Sequence, residues 1–502
     1  MSTSFTTLVA AFHDAWQQPS ITDTVAMLDA DSSYTYAELY TEIGQLAGRL
    51  RAAGVGHGDR VALATARSLQ SAKAILALLA AGACPCPLEP KLGRDEVLRR
   101  VRMTGISWLL ADAEHSGEAA LQELPQVSSL QLESLPAAPA YWALDISPES
   151  AGLMLFTSGS SGKPKGVLLS HRGLLANTLG VSSHTALAPQ DRLLHVMPLY
   201  HTNGVNNQLF APLLAGASVA LASRFRAEDM PALVARYRPS IITGVPTMYA
   251  RMLEANFSAE SLENLRMLRC GSAPITEELH RKIEAKFERP LVVSYGLSEV
   301  TCTSTMNPPS ARRIGSVGTV LAGQVIVLER ADKTAASRPG EEGEICIGGP
   351  GLMLGYLEED APGTPRPVTD GVLRTGDIGR FDSEGYLYIT GRIKDVIIRG
   401  GENLSPNLIE SVLCEVPGVA QCSVVGGPHA DLGEVPVAFV VRQRSDAGTA
   451  LDASQLGDAV QKALSRIHRP TAFFFVDALP ENAVGKIDKK KLVLMLQAFS
   501  PS

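Results

Sequence analysis

No two of the seven cysteines stand in CxxC spacing, and Cys84, Cys86, Cys270, Cys302, Cys346, Cys414 and Cys422 make no metal-ligand pattern. An odd number of thiols scattered through apolar stretches argues against a disulfide framework and predicts buried, reduced side chains in a cytoplasmic protein. Cys84 and Cys86, alternating with prolines in GACPCPLEP, read as small core residues on a short strand. Long apolar runs are also missing. The longest, from Ala74 to Pro85, is too short to span a bilayer. There is no basic surplus either, since the net charge is −7 and the lysines are dispersed, which makes nucleic acid or an anionic membrane a poor main partner. The opening MSTSFTTLVAAFHDAW has no basic n-region and includes His13 and Asp14, so it does not look like a signal peptide. No repeat of 20 to 50 residues is visible.

What is present is ordinary for a globular chain, with 45% hydrophobic and 19% charged residues, and 502 residues suffice for two or more domains. YTYAELYTEIGQLAGRLRAAGV has apolar residues at helical spacing and ends near Gly54, and DRVALATA follows as a strand. The helix-then-strand rhythm repeats through Ile75 to Ala81 with CPCPLEP, and through strands at Asp191 to Met197, Ser218 to Leu221, Ile241 to Gly244 and Leu291 to Tyr295. It predicts an α/β fold with largely parallel sheets. Residues 112 to 150, rich in Glu, Ser, Pro and Ala, read as a surface connection. Beyond about 300 the strands shorten and Gly turns multiply, as in GEICIGG and GYLYITG, which predicts an antiparallel or barrel-like piece. A last block has helices near Leu408 to Val416 and Ala453 to Ile467 and the strands SVVGG and VAFVVR, enough for a small α+β domain. GRIKD marks the boundary, giving domains 1–392 and 393–502.

Residues 157 to 167, TSGSSGKPKGV, form the richest local signal. The loop offers backbone N–H groups and ammonium charge to an oligophosphate at the end of an apolar strand. It is not a Walker A loop, because Thr157 stands where Gly is needed and Pro164 follows Lys163 where Ser or Thr should be. Other segments carry further chemistry. In SYGLSE, Tyr295 could stack a base and Glu299 could hold Mg²⁺. In RTGD, Asp377 suits two ribose hydroxyls. GRIKDVIIRGGENLSP mixes charges with a double glycine, and LPENAVGKIDKKKL sets Lys486 after Gly485 on a turn.

In this order the motifs closely resemble the signature series of the adenylate-forming superfamily of acyl-CoA synthetases, nonribosomal adenylation domains and luciferases, over nearly the whole chain from YTYAEL to GKIDKKKL. The resemblance implies a large N-terminal domain of layered α/β subdomains with a β-rich subdomain, and a small mobile α+β C-terminal lid. It implies ATP-dependent activation of a carboxylic acid to an acyl-adenylate and pyrophosphate, then transfer to coenzyme A. By the same resemblance Thr157, Ser158, Gly159, Ser160, Ser161, Gly162 and Lys165 would hold the β- and γ-phosphates, and Glu299, near Gly296 and Ser298, would hold Mg²⁺. Gly271, Ser272, Ala273 and Pro274 would edge the adenine with Tyr295 on its face, and Asp377 and Arg392 would take the ribose. Lys486 would bridge carboxylate and α-phosphate, Lys394 would be the hinge, and Gly400, Gly401 and Glu402 would enter on the acceptor side.

Two departures bear on the second half-reaction. Leu408 replaces a common glutamate, and Ile467, His468, Arg469 and Pro470 stand where relatives carry Tyr-Lys-x-Pro. They keep an amine or a carrier-protein thiol open as acceptor beside coenzyme A, and a catalytically silent nucleotide-binding regulator stands as the reading from another class. MPLYHTNGVNNQLF matches the acyl-pocket segment of relatives, with His201 at its gate and Asn203, Asn206 and Asn207 making the wall polar. Arg312 or Arg313 in NPPSARRIGSVG could pair with a second carboxylate of the acid. A small dicarboxylate, a short aliphatic acid and a cyclic acid all remain open.

Overall fold

The computed structural model describes residues 6–90, 92–111, 127–157, 164–481 and 487–499. Its centre is a nine-stranded sheet whose strands run parallel from Val25–Leu28 through Ser218–Leu221, Arg192–His195, Ile241–Gly244 and Met267–Cys270 to Leu291–Tyr295, with short antiparallel strands at both edges. Such strands are covered on both faces and therefore read as continuous apolar runs. A second, four-stranded parallel sheet joins Cys84–Pro87, Arg60–Ala64, Trp108–Ala111 and Ser128–Gln131. The first of these is wholly buried, so Cys84 and Cys86 are core residues as expected. Ser128–Gln131 falls inside what reads as a surface connection. Only Leu130 in it is apolar, and pairing to Trp108–Ala111 rather than side-chain pattern makes it a strand.

The helix expected from YTYAEL is Tyr36–Ala52, opened by a capping box between Thr35 and Glu38. Beyond residue 320 a four-stranded antiparallel sheet comprises Val325–Glu329, Glu342–Gly348, Val372–Phe381 and Leu387–Arg392. The C-terminal block has its own five-stranded sheet, formed by Glu402–Leu404, Ile397–Arg399, Gly433–Arg442, Val419–His429 and Ala472–Phe475. Two apolar clusters drawn only from residues between Ile397 and Leu496 fill it.

Candidate active site

The glycine-rich loop joins two antiparallel strands, Ala151–Thr157 and Lys165–Ser170, in register Thr157 opposite Lys165. A strand–loop–strand unit has no helix N-terminus beneath it, which separates this loop structurally from a Walker A loop. Ser158, Gly159, Ser160, Ser161 and Gly162 lie outside the described residues. At the loop's root Thr157 Oγ1 is buried without a hydrogen-bond partner among the described residues, a condition that a ligand oxygen would relieve. Lys165 Nζ lies 2.6 Å from Glu358 Oε1 and over the ring of Tyr356, 4.6 Å from its centroid. The Tyr356 hydroxyl in turn donates to Glu299 Oε1 at 3.0 Å. Lys165 and Glu299 are therefore linked through Tyr356, which, like Glu358, the sequence did not single out.

Glu299 sits in a single turn, Ser298–Val300, directly beyond the sheet strand Leu291–Tyr295. Gly296 is required there, because a Cβ on it would lie 1.9 Å from the Cys302 carbonyl oxygen. Open parallel sheets bind ligands beyond the carboxyl ends of their strands, and this turn occupies that edge. The turn at Gly271, Ser272, Ala273 and Pro274 leaves the neighbouring strand Met267–Cys270 at the same edge, with Ser272 at φ +68°. Tyr295 donates its hydroxyl to Asp377 Oδ2 at 2.7 Å, and Arg392 Nε donates to Asp377 Oδ1. Asp377 is buried. Burial and the adjoining carboxylate raise the Tyr295 phenol well above its ordinary range, so it stays a donor.

Lys486 also lies outside the described residues, but its flank is placed: Glu481 takes both its oxygens to Arg251 Nη2 at 2.8 and 2.9 Å. Arg251 is in the helix Pro246–Met252, which follows the sheet strand Ile241–Gly244, so Glu481 is held against an element that leaves the same sheet. Lys394 is exposed on the one-turn segment Ile393–Asp395. Gly400 and Gly401, at φ +57° and +91°, turn the hairpin that pairs Arg399 with Glu402. Arg399 Nη1 donates to the Ile467 carbonyl, so the unusual Ile467–His468 pair borders that hairpin.

His201 stands ahead of an eight-residue π-helix, Asn203–Phe210, with its ring 4.7 Å from that of Tyr200. π-helical turns are rare and concentrate at functional sites. Asn206 does not line a wall as expected; it bonds Asn177 at 2.9 Å and accepts from Thr178 at 3.2 Å. Arg312 and Arg313 are likewise spoken for. Arg312 forks onto Glu284, and Arg313 pairs with Asp382 and Glu384 over the ring of Tyr386. Each already pairs with protein carboxylates, so neither is left as the free cation the sequence suggested for a substrate carboxylate. The sequence reading missed a different arginine, Arg269, which lies buried inside the strand Met267–Cys270. Its signal was a charged residue inside an otherwise apolar strand.

Residues 12–357 match the family of AMP-binding enzymes, and residues 408–486 match the AMP-binding enzyme C-terminal domain. The chain is 34% identical over 488 residues to a sulfoacetate–CoA ligase of Cupriavidus necator, covering 93% of each. It superposes on ATP-bound MatB from Rhodopseudomonas palustris with a TM-score of 0.88 at 30% identity, over 98% of this chain and 99% of that one. It is similar also to o-succinylbenzoate coenzyme A synthetase of Bacillus subtilis in complex with ATP and magnesium ion, with a TM-score of 0.81 at 29% identity over 96% and 99% of the two chains.

Proposed function

The chain belongs to the AMP-binding enzyme family and is an AMP-forming acid–CoA ligase, and we propose how its residues divide that work. The acid's carboxylate oxygen attacks the α-phosphorus of ATP and pyrophosphate leaves. The sulfur of coenzyme A then attacks the acyl carbon and AMP leaves. Nothing found favours an amine, a carrier protein or a silent regulator over this course. The first step brings anions together, so oriented donors and cations must meet them.

The observation that carries the assignment is the chain of contacts from Tyr295 through Asp377 to Arg392. It holds a carboxylate at the sheet edge where two vicinal hydroxyls of a ribose would replace water, and it leaves the Tyr295 ring to face adenine beside Gly271, Ser272, Ala273 and Pro274. Thr157 and Lys165, with Ser158, Gly159, Ser160, Ser161 and Gly162, take the β- and γ-phosphates. The orphaned Thr157 hydroxyl and the Glu299 carboxylate are hard oxygen donors that fit a magnesium-bound triphosphate. Bound there, Mg²⁺ would neutralise phosphate charge. Lys165 must leave Glu358, in whole or part, as the phosphates arrive.

Lys486 neutralises the carboxylate and α-phosphate oxygens in the first step. A lid comprising residues 393–502 then turns about Lys394 and brings Gly400, Gly401 and Glu402 to the acceptor side. The Arg251–Glu481 pair is half-exposed and worth at most about 1 kcal/mol, weak enough for a contact that must break each cycle. His201 gates a pocket for a small carboxylic acid. That relatives are named for acids as different as sulfoacetate and o-succinylbenzoate supports the reading that the pocket, not family membership, decides which acid enters. All seven cysteines are free thiols, which supports a cytoplasmic setting; no helix among the described residues is long and apolar enough to cross a membrane.

The test is to mix enzyme, ATP, Mg²⁺, coenzyme A and each acid of a panel and follow all products. AMP, pyrophosphate and an acyl thioester in equal amounts, strictly dependent on acid, are expected. ADP and phosphate in their place would overturn the reading.

A further inference from the structure

Arg269 is 2% exposed, and its Nε and Nη1 have no hydrogen-bond partner among the described residues. A guanidinium stays protonated even where burial depresses it, here to about 10, so a full positive charge lies within the protein. The groups whose charge acts on it are Cys302, Tyr249 and Arg266, with no carboxylate among them. Burying an ion without a counter-ion costs several kcal/mol, and native interiors rarely leave that cost unanswered.

The surroundings show where the answer would come from. Thr243 is the direct strand neighbour of Arg269 and shares its face of the sheet, and its Oγ1 is also buried and unpartnered. Across from that face, the π-helix contributes Asn207, whose Nδ2 donates to Thr303 Oγ1 at 2.8 Å while its Oδ1 stays unpartnered, and Asn203, whose Oδ1 is likewise orphaned. Cys302 ties the two sides together, because the Arg269 charge and the polar side chains of Thr202 and Asn207 all act on its thiol, and its neighbour Thr303 accepts from Asn207. Thr202 Oγ1 lies 3.3 Å from Ser298 Oγ, next to Glu299. The polar lining therefore runs from the magnesium end of the site down to Arg269. Along the strand Arg269 is two residues, about 7 Å, below Gly271 at the sheet edge.

We propose that Arg269 is the floor of the acid pocket and pairs with a second anionic group, carboxylate or sulfonate, at the far end of a short acid whose other carboxylate is activated. Thr243, Asn203 and Asn207 complete the hydrogen bonds of that second group. The guanidinium's planar fork suits either oxyanion, and the depth of Arg269 favours a short spacer between the two acid groups. This deepens the ligase reading and rests on it.

The experiment compares acids matched in length, succinate with butyrate and sulfoacetate with propionate, in wild type, Arg269→Met and Thr243→Val. Wild type should prefer the dianion in at least one pair. Arg269→Met should lower kcat/KM for that dianion about 10²-fold more than for its monoanionic match, because one partner of a desolvated pair is lost. Thr243→Val should shift the ratio the same way by a smaller factor. Because the buried guanidinium has no carboxylate partner among the described residues, Arg269→Met should melt at or above the wild-type temperature without substrate, whereas an arginine with a purely structural role would lower it. With ATP present the dianion should raise the melting temperature of wild type more than that of Arg269→Met, a readout that does not need turnover. Preference for the monoanion in both pairs, or an equal loss on both members, overturns the subsite and leaves the ligase reading standing. Absence of AMP with every acid overturns the ligase reading, and the melting shifts then decide the subsite by themselves.

Discussion

The Tyr295 hydroxyl donates to Asp377 Oδ2 at 2.7 Å, joining residues 82 apart in sequence across two sheets. The contact fixes a buried carboxylate from the antiparallel sheet against the edge of the parallel one. In the proposed site it also gives one tyrosine two tasks, a ring for the base and a hydroxyl for the group that would receive the ribose. Removing only the second task is therefore informative. Tyr295→Phe should raise KM for ATP by roughly 10-fold or more, since a hydrogen bond to a charged group contributes about 1.5 to 3 kcal/mol, while kcat at saturating ATP changes less. Steady-state kinetics in ATP checks it, and an unchanged KM would mean that Asp377 holds its position without the phenol.

Lys486→Ala should abolish formation of the acyl-adenylate and spare thioester formation from supplied acyl-adenylate and coenzyme A. The lysine meets charge that develops only in the first transition state, where one lost donor costs on the order of 10² to 10³ in rate. Equal loss of both half-reactions in a folded variant would contradict a lid with two working positions.

Lys394→Pro should show the complement, with near-normal pyrophosphate release and a slow second step. Residue 394 is exposed in a one-turn segment, so the substitution removes backbone freedom without opening a core. Full rates in both half-reactions would place the hinge elsewhere.

How much of this was legible in the sequence depends on how local each feature is. The strand end at Thr157 and the SYGLSE turn could be read because glycines and charges announce themselves within a few residues. The antiparallel sheet after residue 320 was legible from its short Gly-bounded strands. The pairings were not. Arg312 looked available until the fold brought Glu284 onto it from a helix 28 residues away, and Lys165 gained Glu358 in the same way. Arg269 had no meaning as one charge in a four-residue strand, and acquired it only when Thr243 and the π-helix closed around it. Asn206 and Asn207, adjacent in sequence, reach different partners, Asn177 and Thr303, because the helix turns them apart.

Gly296→Ala should destabilise the protein by on the order of 3 kcal/mol, because the new methyl would overlap the Cys302 carbonyl, which is backbone and cannot rotate away. Chemical denaturation checks this. A variant as stable as wild type would mean that the SYGLSE turn yields more easily than its contacts imply.

The last prediction concerns acid stability. His171 is buried at the start of the helix His171–His184 with neither ring nitrogen partnered, and burial pulls its pKa down to about 4. The folded protein therefore keeps this ring neutral where the unfolded chain, with a pKa near 6.5, binds a proton. Stability from this group is fully present above about pH 6.5 and is lost as pH falls toward 4, by up to about 1.4 kcal/mol per pH unit. His171→Leu removes the proton-binding difference, so the slope of unfolding free energy against pH between 6.5 and 4.5 should flatten relative to wild type. His195, also buried and lowered, remains in the variant and keeps part of the slope. Urea melts at several pH values measure both slopes, and parallel curves would show that His171 binds a proton in the folded protein as readily as in the unfolded chain.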